Sequence, residues 1–325
     1  MSTQDAVAWT SEPSQLWTLF DEIEHLLVAG EPSEVVLPAF DALVRMFEGL
    51  VRECAPADAA RLGASFKAEL LPWLCLAENA QRWLSKPRGY AGDYLTIERI
   101  YDNDARGTDP LGRMVDRCCL DFAAARAVRH RRALIAGEIV RTVATCAGAA
   151  RITSLACGPA RELFDAYRAH PGLGGMTATL VDFDREALEY CDAERTLMAP
   201  DARIDRVEAN LRHVAQGKRS LDLAPQDLIY SIGLIDYFDD ALVIKLLDAI
   251  HGMLRPGGRV IVGNFHPRNP TKAVLDHVLD WKLIHRDEAR MHQLFLASAF
   301  RSRCTRIQYE DLGINLFAEC IRRCD

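Results

Sequence analysis

The chain has 325 residues, which favours a main domain of roughly 170 to 200 residues with a smaller partner. Hydrophobic residues make up 49% and charged residues 26%, and the formal net charge is -7, a globular composition that argues against nucleic acid as a partner. No apolar run reaches the roughly 18 residues of a membrane span, and MSTQDAVAWTSEP has neither the basic start nor the apolar stretch of a signal peptide, so a cytoplasmic protein is expected.

In chain order, Leu16, Leu19, Phe20, Ile23, Leu26 and Leu27 recur at helical spacing and predict a helix from Gln15 to Ala29. Glu31-Pro32-Ser33 punctuates, and VVLPAFDALVRMFEGLV predicts a second helix. A third helical segment runs from about Ala57 to Trp83, interrupted near Pro72, and stops at Lys86-Pro87. The stretch SKPRGYAGDYLTIERIYD reads as a loop. Asp109 to Ala147 then predicts one or two helices carrying Arg113, Arg117, Arg126, Arg129, Arg131, Arg132 and Arg141, for which a solvated basic face is the plainer reading.

The pattern changes at Arg151. Strand-like ITSLA, ATLVDF, RIDRVEA, DLIYSIGLI and RVIVGNF alternate with helical RELFDAYRA, REALEYCDAERTL and ALVIKLLDAIHGML. Such alternation predicts an α/β fold with a mostly parallel sheet and helices on both faces. CTRIQYED, Gly313 and INLFAECIRR close the chain as two antiparallel strands. The expected division is a helical domain over 1–145 and an α/β domain over 146–325. The ten cysteines contain no C-x-x-C pair, which favours reduced core thiols and no structural metal.

SLACGPAR joins the first strand to a helix and carries a single glycine, Gly158. In a doubly wound sheet this turn brings backbone to a ligand, and an acid about 20 residues on bonds a ribose hydroxyl. Asp182 ends the second strand 24 residues after Gly158. HGMLRPGGRVIVGNF, the final hairpin and DLIYSIGLIDYF follow in an order that resembles the class I S-adenosylmethionine-dependent methyltransferases, with a Rossmann-like, seven-stranded sheet. In that family the turn runs acidic-x-Gly-x-Gly-x-Gly, whereas Ser154, Ala156, Gly158 and Ala160 stand here. The acid missing at Ser154 commonly holds the methionine ammonium group, so Glu162, Asp93 or Asp236 has to replace it. KPRGYAGDY, the YFD stretch and WKLIHRDEARMHQL, expected as a helix, are further similar to bacterial 3-hydroxypalmitic acid methyl ester biosynthesis proteins, which are quorum-signal carboxyl methyltransferases.

The resemblance implies S-adenosylmethionine as cofactor, held by Asp93, Ala156, Cys157, Gly158, Pro159, Glu162, Asp182, Phe183, Asn210, Leu211, Ser231, Gly233 and Asp236. It implies a small-molecule acceptor, the carboxylate of a hydroxy fatty acid or a similar small acid, and leaves a homodimer open. Tyr90, Tyr94 and Tyr237 are neutral donors suited to an acceptor oxygen, and half-buried packing is their structural alternative. His266 or Asp236 is placed to act as a base for an amine or hydroxyl acceptor. A small-molecule N- or O-methyltransferase of secondary metabolism, a noncatalytic nucleotide-binding partner protein and a nicotinamide-dependent oxidoreductase are the rival readings.

Overall fold

The computed structural model describes residues 13–147 and 149–323. Along the chain come α1 (Pro13–Ala29), α2 (Ser33–Glu53), α3 (Pro56–Leu74), α4 (Glu78–Ser85), α5 (Tyr94–Asp102), α6 (Pro110–Leu120) and α7 (Ala123–Thr145). Then follow β1 (Arg151–Leu155), α8 (Arg161–Ala169), β2 (Thr177–Asp182), α9 (Arg185–Met198), β3 (Arg203–Glu208), α10 (Leu211–Ala215) and β4 (Gln226–Ser231). The chain ends with α11 (Asp240–Met253), β5 (Leu254–Phe265), α12 (Glu288–Ala297), β6 (Arg306–Tyr309) and β7 (Asn315–Ile321).

Two compact units divide the chain. The first comprises Met1–Gly89, Asn103–Ala125 and Pro270–Trp281, and the second comprises Tyr90–Asp102, Arg126–Asn269 and Lys282–Asp325. The units therefore do not part at the expected 145/146 boundary. In the first unit, Val36, Phe40, Leu43, Val44 and Phe47 line the buried stripe of α2, and Phe47 stacks on Phe66 of α3 with ring centroids 4.1 Å apart. Helix α3 continues through Pro72 and breaks after Leu74. The helical segment is thus interrupted near Pro72 as expected; a proline in the last turn loses only one intrahelical bond, so the break falls just after it, at 75–77.

The second unit is built on a seven-stranded sheet ordered β3-β2-β1-β4-β5-β7-β6. β1 pairs in parallel with β2 and β4, while β7 runs antiparallel between β5 and β6. This is a Rossmann-like class I methyltransferase fold. Alternation sends neighbouring residues of one strand into opposite cores: Leu155, Ile229, Val260, Val262 and Leu316 pack with α10, α11 and α12, and Ile152, Leu228, Tyr230, Ile261 and Phe317 pack with α7, α8 and α9. Ile135, Ile139 and Val143 of α7 belong to the second of these cores, which is why α7 segregates with the sheet rather than with the helices before it.

Three further expectations are corrected. Residues 94–102 are helical, because Asp93 caps them. The helix expected over Trp281–Leu294 begins only at Glu288: Asp287 accepts from Arg290 N–H as its cap, and the N–H groups of Ile284 and Arg286 go instead to the carbonyls of Asp236 and Phe265. The arginines of α7 are not a uniformly solvated face. Arg131 is buried, Arg132 pairs with Asp165, and Arg141 joins Arg259 and Arg306 around Glu138 and Glu319. Among the described residues, no helix is long and apolar enough to cross a membrane.

Candidate functional site

The turn after β1 holds three left-handed positions at alternate residues: Ala156 (φ 54°), Gly158 (φ 52°) and Ala160 (φ 48°). Two of them are alanines, so the backbone keeps a glycine-type path at a cost of roughly 1–2 kcal/mol per alanine. β2 holds the turn in place. Asp182 accepts from the N–H of Gly158 at 3.0 Å with one carboxylate oxygen and from the N–H of Asp184 at 2.9 Å with the other. Burial raises the Asp182 pKa, and those N–H donors work against the rise. Cys157 N–H bonds the Val181 carbonyl, and Ser231 at the end of β4 donates to the Leu155 carbonyl. A side chain built on Gly158 would meet open space.

Tyr90–Asp102, part of the same unit, attaches to the loops at this end of the sheet. The Tyr90 phenol donates to Asp184 at 3.1 Å, and its ring lies 5.1 Å from that of Phe183, which is 52% exposed. Tyr237, after β4, donates to the Ala91 carbonyl at 3.2 Å. Arg161, the first residue of α8, pairs with Glu98 at 2.6 Å and Asp102 at 2.7 Å. Tyr94 is buried against the ring of Tyr190. Asp93 is buried with its carboxylate accepting from Leu95 N–H, Thr96 N–H and the Thr96 hydroxyl, so it works as the helix cap of α5.

Deeper charges converge on the end of β4. Ser154 stands where a strand acid was expected and donates to Tyr230, whose phenol in turn donates to Glu162 at 3.0 Å. Glu162 is buried, and its pKa is raised by that burial against the opposing pull of Tyr230 and Arg131. Asp236, also buried, accepts from Phe265 N–H at 2.7 Å, and burial pushes its pKa up to about 6. Arg131 donates to the Ile232 carbonyl at 2.8 Å and reaches the Tyr101 phenol at 3.4 Å. Arg286 fixes the same loop: it bonds the carbonyls of Ile235 and Phe238, Asn264 and Asp240.

The fold thus gathers Ala156, Cys157, Gly158, Asp182, Phe183, Tyr90 and Asp184 at the ends of β1 and β2, and Glu162, Ser231, Gly233, Asp236 and Tyr237 about the end of β4. Pro159 completes the first turn. Asn210 caps α10 through the N–H of Arg212, beside buried Leu211. His266 stands in a separate cluster: its Nδ1 accepts from Arg268, its Nε2 lies 3.2 Å from Glu288, and Tyr309 packs on its ring. Arg131, Tyr101, Arg161, Tyr230 and Arg286 escaped the sequence reading. A tyrosine inside the apolar run DLIYS was the one local signal, since a buried phenol needs a partner.

A family model described as "Putative methyltransferase" matches residues 88–317. No curated protein matches the sequence. Among solved structures, a "possible exported protein" from Bordetella parapertussis aligns with a TM-score of 0.61 and 20% identity over 91% of this chain and 99% of that chain. The S-adenosylmethionine-dependent methyltransferase SibL, in its apo form, aligns at 0.48 with 19% identity over 95% and 96% of the two chains. Magnesium protoporphyrin IX methyltransferase from Synechocystis PCC 6803, with bound S-adenosylhomocysteine, aligns at 0.49 with 10% identity over 70% of this chain and 94% of that one. At 20% identity, the likeness to the Bordetella protein is one of fold.

Proposed function

Because the chain belongs to the methyltransferase family whose model spans residues 88–317, we propose that it moves a methyl group from S-adenosylmethionine to a small-molecule acceptor, the carboxylate of a hydroxy fatty acid or a similar small acid. The observation that carries the reading is the rim at the ends of β1, β2 and β4, to which Tyr90–Asp102 is bonded at Asp184, Arg161 and Tyr237. The residues of that rim fit the cofactor. Gly158 leaves open space beside a left-handed backbone, and Asp182, oriented by two N–H donors, retains lone pairs for ribose hydroxyls. Half-exposed Phe183, with Asn210 and Leu211 after β3, suits the adenine ring.

When bound, S-adenosylmethionine supplies a methyl group activated by a positively charged sulfur. A carboxylate acceptor is already ionised at neutral pH, so the protein has no proton to remove. Its work is to orient the acceptor and exclude water, which contributes several kcal/mol, up to about 7–11 in favourable cases. The placement of His266 supports an acceptor of this kind, because both of its ring nitrogens face protein partners. Tyr237 is 38% exposed with its hydroxyl given to the Ala91 carbonyl, so its ring is the part that borders an acceptor, while Tyr90 and Tyr94 brace the loop.

Incubating the full-length chain with S-adenosylmethionine and a panel of small acids, hydroxy fatty acids included, tests the reading by mass spectrometry. A methylated product that mild alkali hydrolyses is expected, since esters are labile there. An alkali-stable methyl product would move the acceptor to an amine or hydroxyl. No methylated product together with no S-adenosylhomocysteine binding would overturn the reading.

A further inference from the structure

Among the described residues of the second unit, large apolar side chains stand exposed at Phe183, Leu197, Tyr237, Ile284, Leu296 and Ile321. Leu197, Leu296 and Ile321 lie singly on α9, α12 and β7, which is ordinary for a protein surface. The other three are linked at the rim. The ring of Phe183 meets that of Tyr90 at 5.1 Å, and the Tyr237 hydroxyl bonds the carbonyl of Ala91, next to Tyr90, at 3.2 Å. Ile284 N–H in turn bonds the carbonyl of Asp236, next to Tyr237, at 2.8 Å. Exposed apolar side chains gathered in this way mark a place where something apolar binds.

Ile284 is held outward by its own backbone. Its N–H goes to Asp236, its carbonyl accepts from the Asn264 side-chain amide at 2.9 Å, and Arg286 N–H, two residues on, bonds the Phe265 carbonyl at 2.9 Å. Leu283 and Arg286 on either side are buried, whereas Ile284 is 43% exposed. Turning Ile284 inward would draw the Arg286 guanidinium off the Ile235 and Phe238 carbonyls. A hydrocarbon that leaves water to cover such a side chain gains about fourfold in binding for every methylene buried. Phe183 belongs to adenine in the cofactor reading, which leaves Ile284 and the Tyr237 ring for the acceptor. We infer that Ile284 is a specificity-determining residue of the acceptor site: it packs the hydrocarbon part of the acceptor and sets a preference for longer over shorter acids. This role rests on the methyl-transfer reading above, to which it adds a residue from the stretch between β5 and α12.

The test compares methyl transfer by the full-length chain to 3-hydroxydecanoate and to 3-hydroxybutanoate, two acids with the same head and different tails. The ratio of their kcat/KM values is expected to fall at least about fourfold in Ile284→Asn, the worth of one methylene. Ile284→Leu, apolar and of equal volume, is expected to keep the ratio within about twofold. Calorimetry with S-adenosylhomocysteine should give the same affinity for both variants and the unaltered chain. An unchanged ratio in Ile284→Asn, an equal loss on both acids, or a loss of S-adenosylhomocysteine affinity would make Ile284 no more than a structural residue and overturn the inference. An unaltered chain that methylates both acids equally well would also overturn it, while the acceptor reading stands. If the unaltered chain methylates neither acid, the acceptor reading fails and takes the role of Ile284 with it.

Discussion

The Tyr90 phenol donates to the Asp184 carboxylate at 3.1 Å, joining two residues 94 positions apart. The same carboxylate caps α9 by accepting from Glu186 N–H, so one acid both starts a helix and holds the loop. Burial and the acids Asp184, Asp182 and Asp93 push the Tyr90 pKa up, which keeps it a donor at every physiological pH. Tyr90→Phe should remove a hydrogen bond to a charged group, about 1.5–3 kcal/mol. Amide hydrogen exchange over residues 90–96 is expected to accelerate at least tenfold, with little change in the melting temperature. Unchanged exchange would mean that Tyr237 and Arg161 hold the segment by themselves.

Asp182 gathers the N–H groups of Gly158 and Asp184. In Asp182→Ala both buried donors lose their acceptor, so folding stability should drop by about 2–4 kcal/mol together with nucleoside binding. Asp182→Asn, which keeps one acceptor, should recover part of the stability. Urea unfolding of the two variants separates these outcomes, and equal stabilities would show that the turn stands without its latch.

Ala156 occupies the left-handed region, where an L side chain crowds its own backbone. Ala156→Gly should therefore stabilise the protein or leave it unchanged, by zero to about 1 kcal/mol, in contrast to the usual loss of about 0.5–1 kcal/mol for such a change in regular structure. Thermal melting checks the sign. A clear destabilisation would mean that the partial packing of this methyl against the core outweighs the relief.

Two acids set opposite pH slopes. Burial alone would raise Glu138, but hydrogen bonds from Arg259, Arg306 and Arg141 outweigh it and hold the pKa near about 2. A lowered pKa contributes stability that is present above the ordinary carboxylate value and is lost as pH falls towards about 2. Asp236 is the reverse case, raised to about 6 chiefly by burial. It favours folding fully below its ordinary value, and that contribution is lost as pH rises through about 6. Glu138→Gln should flatten the acid limb of a stability curve, and Asp236→Asn should stabilise the chain at pH 8 relative to pH 4 by up to about 3 kcal/mol. Urea unfolding at pH 3, 5 and 8 reads both slopes, and parallel curves for Asp236→Asn and the unaltered chain would refute the second.

A fragment covering 146–325 would lose Ile135, Ile139 and Val143, which α7 contributes to one of the two cores flanking the sheet. It would also lose the Arg161 partners Glu98 and Asp102. It should show no cooperative melting transition by circular dichroism, whereas the full chain should. A cooperative transition in the fragment would place the fold's boundary where the sequence pattern changes.

The sheet and its order of elements were legible in the sequence because they rest on local periods. Apolar runs such as ITSLA and ATLVD announce strands without knowledge of their neighbours, and Asp182 at a strand end follows from counting. The roles of the polar side chains were not legible, because each depends on partners brought together from distant positions. Asp93 became a cap when Thr96 turned into a helix. Arg131, one of seven arginines between Asp109 and Ala147, was selected for burial by Ile232, 101 residues away. The glycine-poor turn reads in sequence as an eroded motif, yet Ala156 and Ala160 follow a left-handed path that Asp182, across the neighbouring strand, helps to hold. Local periodicity determined where the strands and most of the helices lie, and only tertiary structure decided which charges are buried and which partners answer them, because desolvation depends on everything packed around a group and not on its neighbours in the chain.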